Sequence, residues 1–164
     1  MKKHFFFFIL LLFPLLAAAQ TYKYIGVEDG LSNRRVYAIQ KGPKGYMWFL
    51  THEGIDRYNG KEFKRYKLMD GDAEVNSLLN LNWLYIDQEG VLWEIGKKGK
   101  VFRYDQIHDC FSLVYKLPME SFSEQPDPVT YAWLDQNKHI WLCNKDTIFL
   151  YNTDTKQVTH IKND

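Results

Sequence analysis

Few side chains in this chain could do chemistry, and their spacing suits little of it. The five histidines, His4, His52, His108, His139 and His160, include no pair at the interval that sets two imidazoles on one helix face for a metal. His52-Glu53-Gly54 begins like a metalloprotease box, but no second histidine follows and the segment reads as a turn. There is no glycine-rich phosphate loop and no Gly-x-Ser-x-Gly nucleophile turn. Asp70-Gly71-Asp72 lacks the further oxygen ligands at regular spacing that calcium requires, and reads as a solvated loop. Cys110 and Cys143 lack the paired Cys or His spacing of a zinc site, and Cys143 reads as a buried free thiol. No metal and no cofactor is expected. What remains is recognition: Arg34-Arg35 is the one arginine pair, and guanidinium forks suit carboxylate or sulfate groups.

Composition narrows the partners. Lys+Arg 21 against Asp+Glu 20 gives a net charge of +1, so there is no basic surplus to release counterions from a nucleic acid. Hydrophobic content of 46% is too high for a disordered tail, and the 16% aromatic share favours pleated, half-buried surfaces. At the start, Lys2 and Lys3 precede an apolar run from Phe5 to Leu16 that ends in Ala17-Ala18-Ala19. This is the basic, apolar and small-residue order of a secretory signal, with cleavage expected after Ala19 and export to the periplasm. The run is too short to span a bilayer, and no second long apolar run follows.

The elements that would hold any site come from an internal repeat. Val36-Tyr37-Ala38-Ile39 leads through Gly45 to Met47-Trp48-Phe49-Leu50, then through Gly54 to Ile55-Asp56-Arg57-Tyr58 and Phe63. Trp83-Leu84-Tyr85-Ile86, Leu92-Trp93-Glu94-Ile95, Val101-Phe102-Arg103-Tyr104 and Phe111 repeat the order, as do Tyr131-Ala132-Trp133-Leu134, Ile140-Trp141-Leu142-Cys143 and Ile148-Phe149-Leu150-Tyr151. Trp48, Trp93 and Trp141 mark one beat in the mid-forties of residues, and Tyr58, Tyr104 and Tyr151 keep the same beat. Four short apolar runs per period match a four-stranded propeller blade better than a helical repeat. Two-residue alternation puts Trp48 and Leu50 on one face, and Met47 and Phe49 on the other. The tryptophans are therefore expected in the core between blades rather than stacked on a sugar, and Tyr58, Tyr104 and Tyr151 in the structural core of the blades. Gly45 and Gly90 precede their tryptophans where a hairpin needs positive φ; the third copy offers Asn137-Lys138 there. Residues 72–79 have room for one helical turn.

With Gly30-Leu31-Ser32-Asn33, Val36, Gly45, Trp48, Thr51, Gly54, Arg57-Tyr58 and Gly60, the sequence resembles the two-component regulator propeller repeat. Asn76-Ser77-Leu78, Asp87, Gly90, Trp93, Gly96 and Arg103-Tyr104-Asp105 carry the likeness into the second unit. The third unit lacks both glycines, and the second departs at Glu94 and at Lys97-Lys98. The resemblance implies the extracytoplasmic sensor region of a Bacteroidota hybrid two-component regulator, with propellers of about seven blades. A β-sandwich, a membrane helix, a histidine kinase, a receiver and a DNA-binding domain would follow in such a protein. It implies a glycan-type ligand, an oligosaccharide or polysaccharide fragment, and no catalysis in this segment.

The expected fold is thus all-β, an incomplete propeller. It comprises a signal at 1–19, a leading strand and loop at 20–35, and blades at 36–68, 69–117 and 118–164. The outer faces of the first and third blades should be bare, so that the remaining blades of a larger sensor are partners. Candidate ligand contacts lie on loops leading into each innermost strand and between the second and third strands: Asn33, Arg34, Arg35, His52, Glu53, Asp72, Asn76, Lys97 and Lys98. A secreted interaction scaffold, or a lyase using His and metal at a central channel, are the other readings.

Overall fold

The computed structural model describes residues 22–75, 81–117 and 128–162; the expected signal and Asn76 fall outside the described residues. Three sheets account for nearly all of it. The first has the order β1-β2-β3-β4, formed by Val36–Lys41, Met47–Thr51, Gly54–Tyr58 and Phe63–Tyr66. The third has the same plan, β11-β12-β13-β14, from Tyr131–Leu134, His139–Cys143, Thr147–Asn152 and Val158–Lys162. Every neighbour in these two sheets is antiparallel. The innermost strands β1, β7 and β11 contact one another in series, so the sheets stand as blades around a common side.

The second sheet departs from the expectation of four strands. Its core is β7 (Leu81–Ile86), β8 (Leu92–Gly96), β9 (Lys100–Asp105) and β10 (Cys110–Lys116), and a hairpin of β5 (Leu68–Asp70) and β6 (Ala73–Val75) extends its outer edge. Leu68 pairs with Phe111 in parallel, so the chain crosses to the second blade directly after Tyr66 rather than after residue 68. The helical turn expected over 72–79 is corrected in its described part. Gly71 at φ 60 closes a tight turn, and Ala73–Val75 pairs back onto Leu68–Asp70.

The leading strand expected at the start is corrected too, since residues 22–26 belong to no strand. Instead the segment crosses the outer face of the first blade. Lys23 Nζ donates to the Tyr58 hydroxyl at 3.0 Å, Val27–Asp29 makes one 3-10 turn, and Leu31 is buried. The Ser32 N–H donates to Asp56 at 2.8 Å. That face is therefore partly covered and not bare, although Tyr37 and Ile39 remain exposed. The third blade does leave Tyr131, Trp133, Ile148 and Ile161 exposed on its outer face.

The hairpin glycines sit as the turns demand, Gly45 at φ 78 and Gly90 at φ 80. In the third copy the positive φ falls on Lys138, at 62°, not on Asn137. Asp135 holds that turn by accepting from the N–H groups of Asn137 and His139 at 2.8 and 2.9 Å.

Blades stack head to tail. Trp48 and Leu50 of the first blade pack with Leu84, Leu92, Phe102 and Phe111 of the second, and Trp93 and Ile95 of the second pack with Ala132, Ile140, Leu142 and Tyr151 of the third. Trp48 and Trp93 thus face the following blade, and Tyr104 and Tyr151 the preceding one: Trp48 meets Tyr104 edge-on at 5.0 Å, and Tyr151 stacks on Tyr115 at 4.9 Å. One expected core residue is corrected by this polarity: Trp141 faces away from the other blades and is half-buried. Tyr58 is buried as expected, covered by Phe63 and the leading segment. Both cysteines are free and half-buried, so Cys143 is less enclosed than expected; burial still pushes its thiol pKa up.

The indole N–H groups show the repeat at atomic scale. Trp93 Nε1 donates to Asp87 and Trp141 Nε1 to Asp135, each at 2.8 Å. The first copy has Gly42 at the matching position, and Trp48 Nε1 is buried without a partner among the described residues. A Cβ at Gly42 would stand 2.5 Å from that nitrogen, so the indole has closed onto the glycine.

Candidate functional site

The loops at one end of the blades bring several candidates together. His52 and Glu53 occupy the two-residue turn between β2 and β3, and the His52 N–H donates to the Arg35 carbonyl at 3.0 Å. Asn33 joins the cluster twice: its amide donates to Glu53 Oε1 at 3.1 Å, and its oxygen accepts from the Arg35 N–H at 2.8 Å. Thr51, fully buried, ties the loop to the turn, with its hydroxyl 2.7 Å from Ser32 Oγ and 3.2 Å from the Glu53 N–H. The result is a rigid platform from which the Arg34 and Arg35 side chains project into solvent.

Two residues absent from the sequence reading complete this cluster. The Tyr37 hydroxyl lies 2.9 Å from His52 Nδ1, and Arg65 bonds the Glu53 carbonyl while its guanidinium pairs with the Glu53 carboxylate at 3.4 Å. The signal for Tyr37 was its position in β1 facing away from the core. Lys97 and Lys98 lie in the corresponding turn of the second blade, exposed, and the Lys97 carbonyl accepts from the Val129 N–H at 2.7 Å. Asp72 is exposed in the β5–β6 turn, and no hydrogen bond joins it or the two lysines to the first-blade cluster among the described residues.

At the opposite end, the first and second blades are tied by Asp109. This residue holds φ 51 in the β9–β10 turn, and its carboxylate accepts from the hydroxyls of Tyr66 at 2.8 Å and Tyr104 at 2.5 Å and from the Lys64 ammonium. Burial alone would raise its pKa, but these donors hold it well below the usual carboxylate range. The same site pushes the Tyr66 hydroxyl up, through burial first and the bond to Asp109 second. A depressed folded pKa means the tie is at full strength above the ordinary aspartate value of 3.8 and is lost as pH falls through the folded value. Replacing Asp109 by alanine is expected to cost about 1–2 kcal/mol at neutral pH, discounted because the carboxylate is a third exposed. Urea melts of wild type and variant should converge as the pH is lowered; a constant gap would rule the tie out.

Residues 30–53 match the family model described as two component regulator propeller. That stretch is similar to a two-component regulator propeller repeat. The match spans the leading loop, β1, β2 and the His52-Glu53 turn, so it contains Asn33, Arg34, Arg35, His52 and Glu53 together. Solved structures extend the likeness over the other two blades. One is the extracellular domain assigned to a hybrid two component system of B. thetaiotaomicron, 26% identical with a TM-score of 0.62 over 85% of this chain and 20% of that one. Another extracellular domain from the same organism, also assigned to a hybrid two component system, is 17% identical with a TM-score of 0.63 over 90% of this chain and 19% of the neighbour. At that identity it shows the fold alone. The propeller chain thus spans about a fifth of the length of these neighbours. No curated protein is similar enough in sequence to count as a match. Among the described residues, no helix is long and apolar enough to cross a membrane, and no three His, Cys, Asp or Glu side chains gather as a metal set.

Proposed function

We propose that this chain forms consecutive blades of the extracytoplasmic sensor propeller of a hybrid two-component regulator, and that its loop end contributes to recognising a glycan-type ligand. The observation that carries the reading is the repeat at 30–53, whose loop and turn are locked to each other by Asn33, Thr51 and Glu53 and leave Arg34 and Arg35 presented to solvent. A rigid scaffold with charged loop residues is suited to binding rather than to bond-breaking. Lys2, Lys3, the apolar run and Ala17-Ala18-Ala19 support export to the periplasm with cleavage after Ala19. The ligand would act by binding one of two arrangements of a complete ectodomain more tightly than the other, and the kinase beyond the membrane would read the shift.

The test is titration calorimetry of a panel of acidic and neutral oligosaccharides against the complete ectodomain, wild type and with Arg34→Ala/Arg35→Ala. Binding of an acidic member that falls at least tenfold in the double variant is the expected result. No binding from the panel, or unchanged affinity in the variant, would remove the reading. The exposed Trp133 and Tyr131 on the third blade give the scaffold reading its one observation, and protein partners captured independently of sugar would favour it.

A further inference from the structure

The turn end holds a second feature, remote from Arg34 and Arg35. A groove of about 660 Å³ opens between the first two blades, walled by Pro43, Tyr46, Val91, Leu92, Tyr104 and Ile107. Its charged lining is unevenly committed. Asp109 accepts from Tyr66, Tyr104 and Lys64; Asp105 accepts from the Ile107 N–H and from His108; Glu89 pairs with Lys138 at 2.6 Å. The cation Arg57 is different. Its guanidinium is fixed by three rings, with centroids of Tyr46 at 4.5 Å, Tyr66 at 5.3 Å and Trp48 at 5.6 Å. Yet none of its N–H groups makes a hydrogen bond among the described residues, and the nearest carboxylate oxygen, on Asp109, stands 3.8 Å away, beyond hydrogen-bond reach. The side chain is 22% exposed, so its planar fork is immobilised and still reachable from the groove.

A second observation concerns the apolar wall. Ile107 is 90% exposed at the groove rim, on a turn where a polar residue would meet the backbone demand equally well. Lys44 and Arg103, which also line the groove, add further cations with no ion pair among the described residues. A held guanidinium fork beside an apolar wall recognises one chemistry well: two parallel N–H donors take a carboxylate bidentately while the body of the ligand lies on carbon.

We propose that this inter-blade groove binds a small organic carboxylate, with Arg57 gripping the carboxylate and Ile107, Val91 and Leu92 receiving the apolar body. The cage of Tyr46, Trp48 and Tyr66 lowers the entropy lost on binding, because the guanidinium is already in place.

The experiment titrates the full chain with benzoate, and with benzamide as its neutral isostere, following Tyr and Trp signals by NMR. Saturable benzoate binding that benzamide does not share is expected. Arg57→Lys keeps the charge and the ring contacts but removes the fork, and should weaken benzoate at least tenfold. Ile107→Asp alters an exposed side chain and leaves folding intact; it should weaken benzoate to a similar degree by placing an anion at the rim. The Arg34→Ala/Arg35→Ala variant should bind benzoate as wild type does, which separates this groove from the loop end. Absence of saturable binding, equal binding of benzamide, or undiminished binding by Ile107→Asp overturns the proposal, whatever becomes of the glycan reading.

Discussion

Replacing Glu94 by leucine is expected to stabilise the fold by about 2–3 kcal/mol at neutral pH. Glu94 lies in the middle of β8 with no exposed surface, paired across strands with Leu84 and Phe102 in the interface between the first two blades. Among the described residues, neither carboxyl oxygen has a hydrogen-bond partner. Burial raises its pKa well above the ordinary 4.5, and the nearby Asn82 backbone N–H offsets this only in part without reaching hydrogen-bond geometry. The sign follows from linkage. A raised folded pKa means that the folded state holds a proton the unfolded chain has released. Stability is therefore highest below the unfolded value and declines as pH rises from about 4.5 towards the folded value. The leucine variant fills a similar volume without the charge, so its stability should lack this decline. For a chain of this size the gain corresponds to about 5–10 °C in melting midpoint. Melts recorded from about pH 4 to about pH 8 decide the matter: curves of wild type and variant that stay parallel would mean the carboxyl is not held neutral.

The second large effect is a loss. Changing Gly99 to alanine should destabilise the chain by about 3 kcal/mol, the sum of a strained left-handed backbone and an overpacked contact. Gly99 closes the β8–β9 turn at φ 69, and a Cβ there would stand 2.4 Å from Leu117 Cδ1 and 2.8 Å from Leu117 Cβ. Leu117 cannot easily withdraw, because its N–H donates to the Gly99 carbonyl at 2.9 Å and its side chain belongs to the core between the second and third blades. Urea unfolding measures the difference, and a loss below about 1 kcal/mol would show that Leu117 moves freely. Asp146 stands in the matching turn of the third blade, where Asn144 accepts from the Asp146 and Thr147 N–H groups and no positive φ is needed.

These examples show which parts of the molecule sequence reveals. The strands and their faces follow from two-residue alternation, and the beat of Trp48, Trp93 and Trp141 with Tyr58, Tyr104 and Tyr151 marks the blades. Gly45 and Gly90 were legible because positive φ at a hairpin leaves few choices. The β5–β6 hairpin was not, since Leu68 pairs with Phe111, a partner that only the packing of two blades supplies. The course of residues 22–33 was hidden for the same reason: Lys23 and Ser32 find Tyr58 and Asp56 across the outer face of another element. At the loop end Asn33, Arg35, His52 and Glu53 were named and do meet, whereas Arg65 and Tyr37 lie in strands and gave no loop signal. The inter-blade groove escaped altogether. Arg57-Tyr58 and Arg103-Tyr104 read as a repeated pair, yet Arg57 turns to the second blade while Arg103 lies over Trp93, facing the third.

The junction in which Trp48 meets Tyr104 has a consequence for how such molecules grow. Each repeat carries both halves of such a junction, one face of the unit presenting the indole and the other the phenol. A tandem duplication of one complete unit would add one new seam, already complementary on both of its sides, without any compensating substitution. Copy number is then free to change by recombination alone, and residues such as Gly42 or Glu94, private to one copy, become the means by which otherwise interchangeable units diverge in stability and in what they bind.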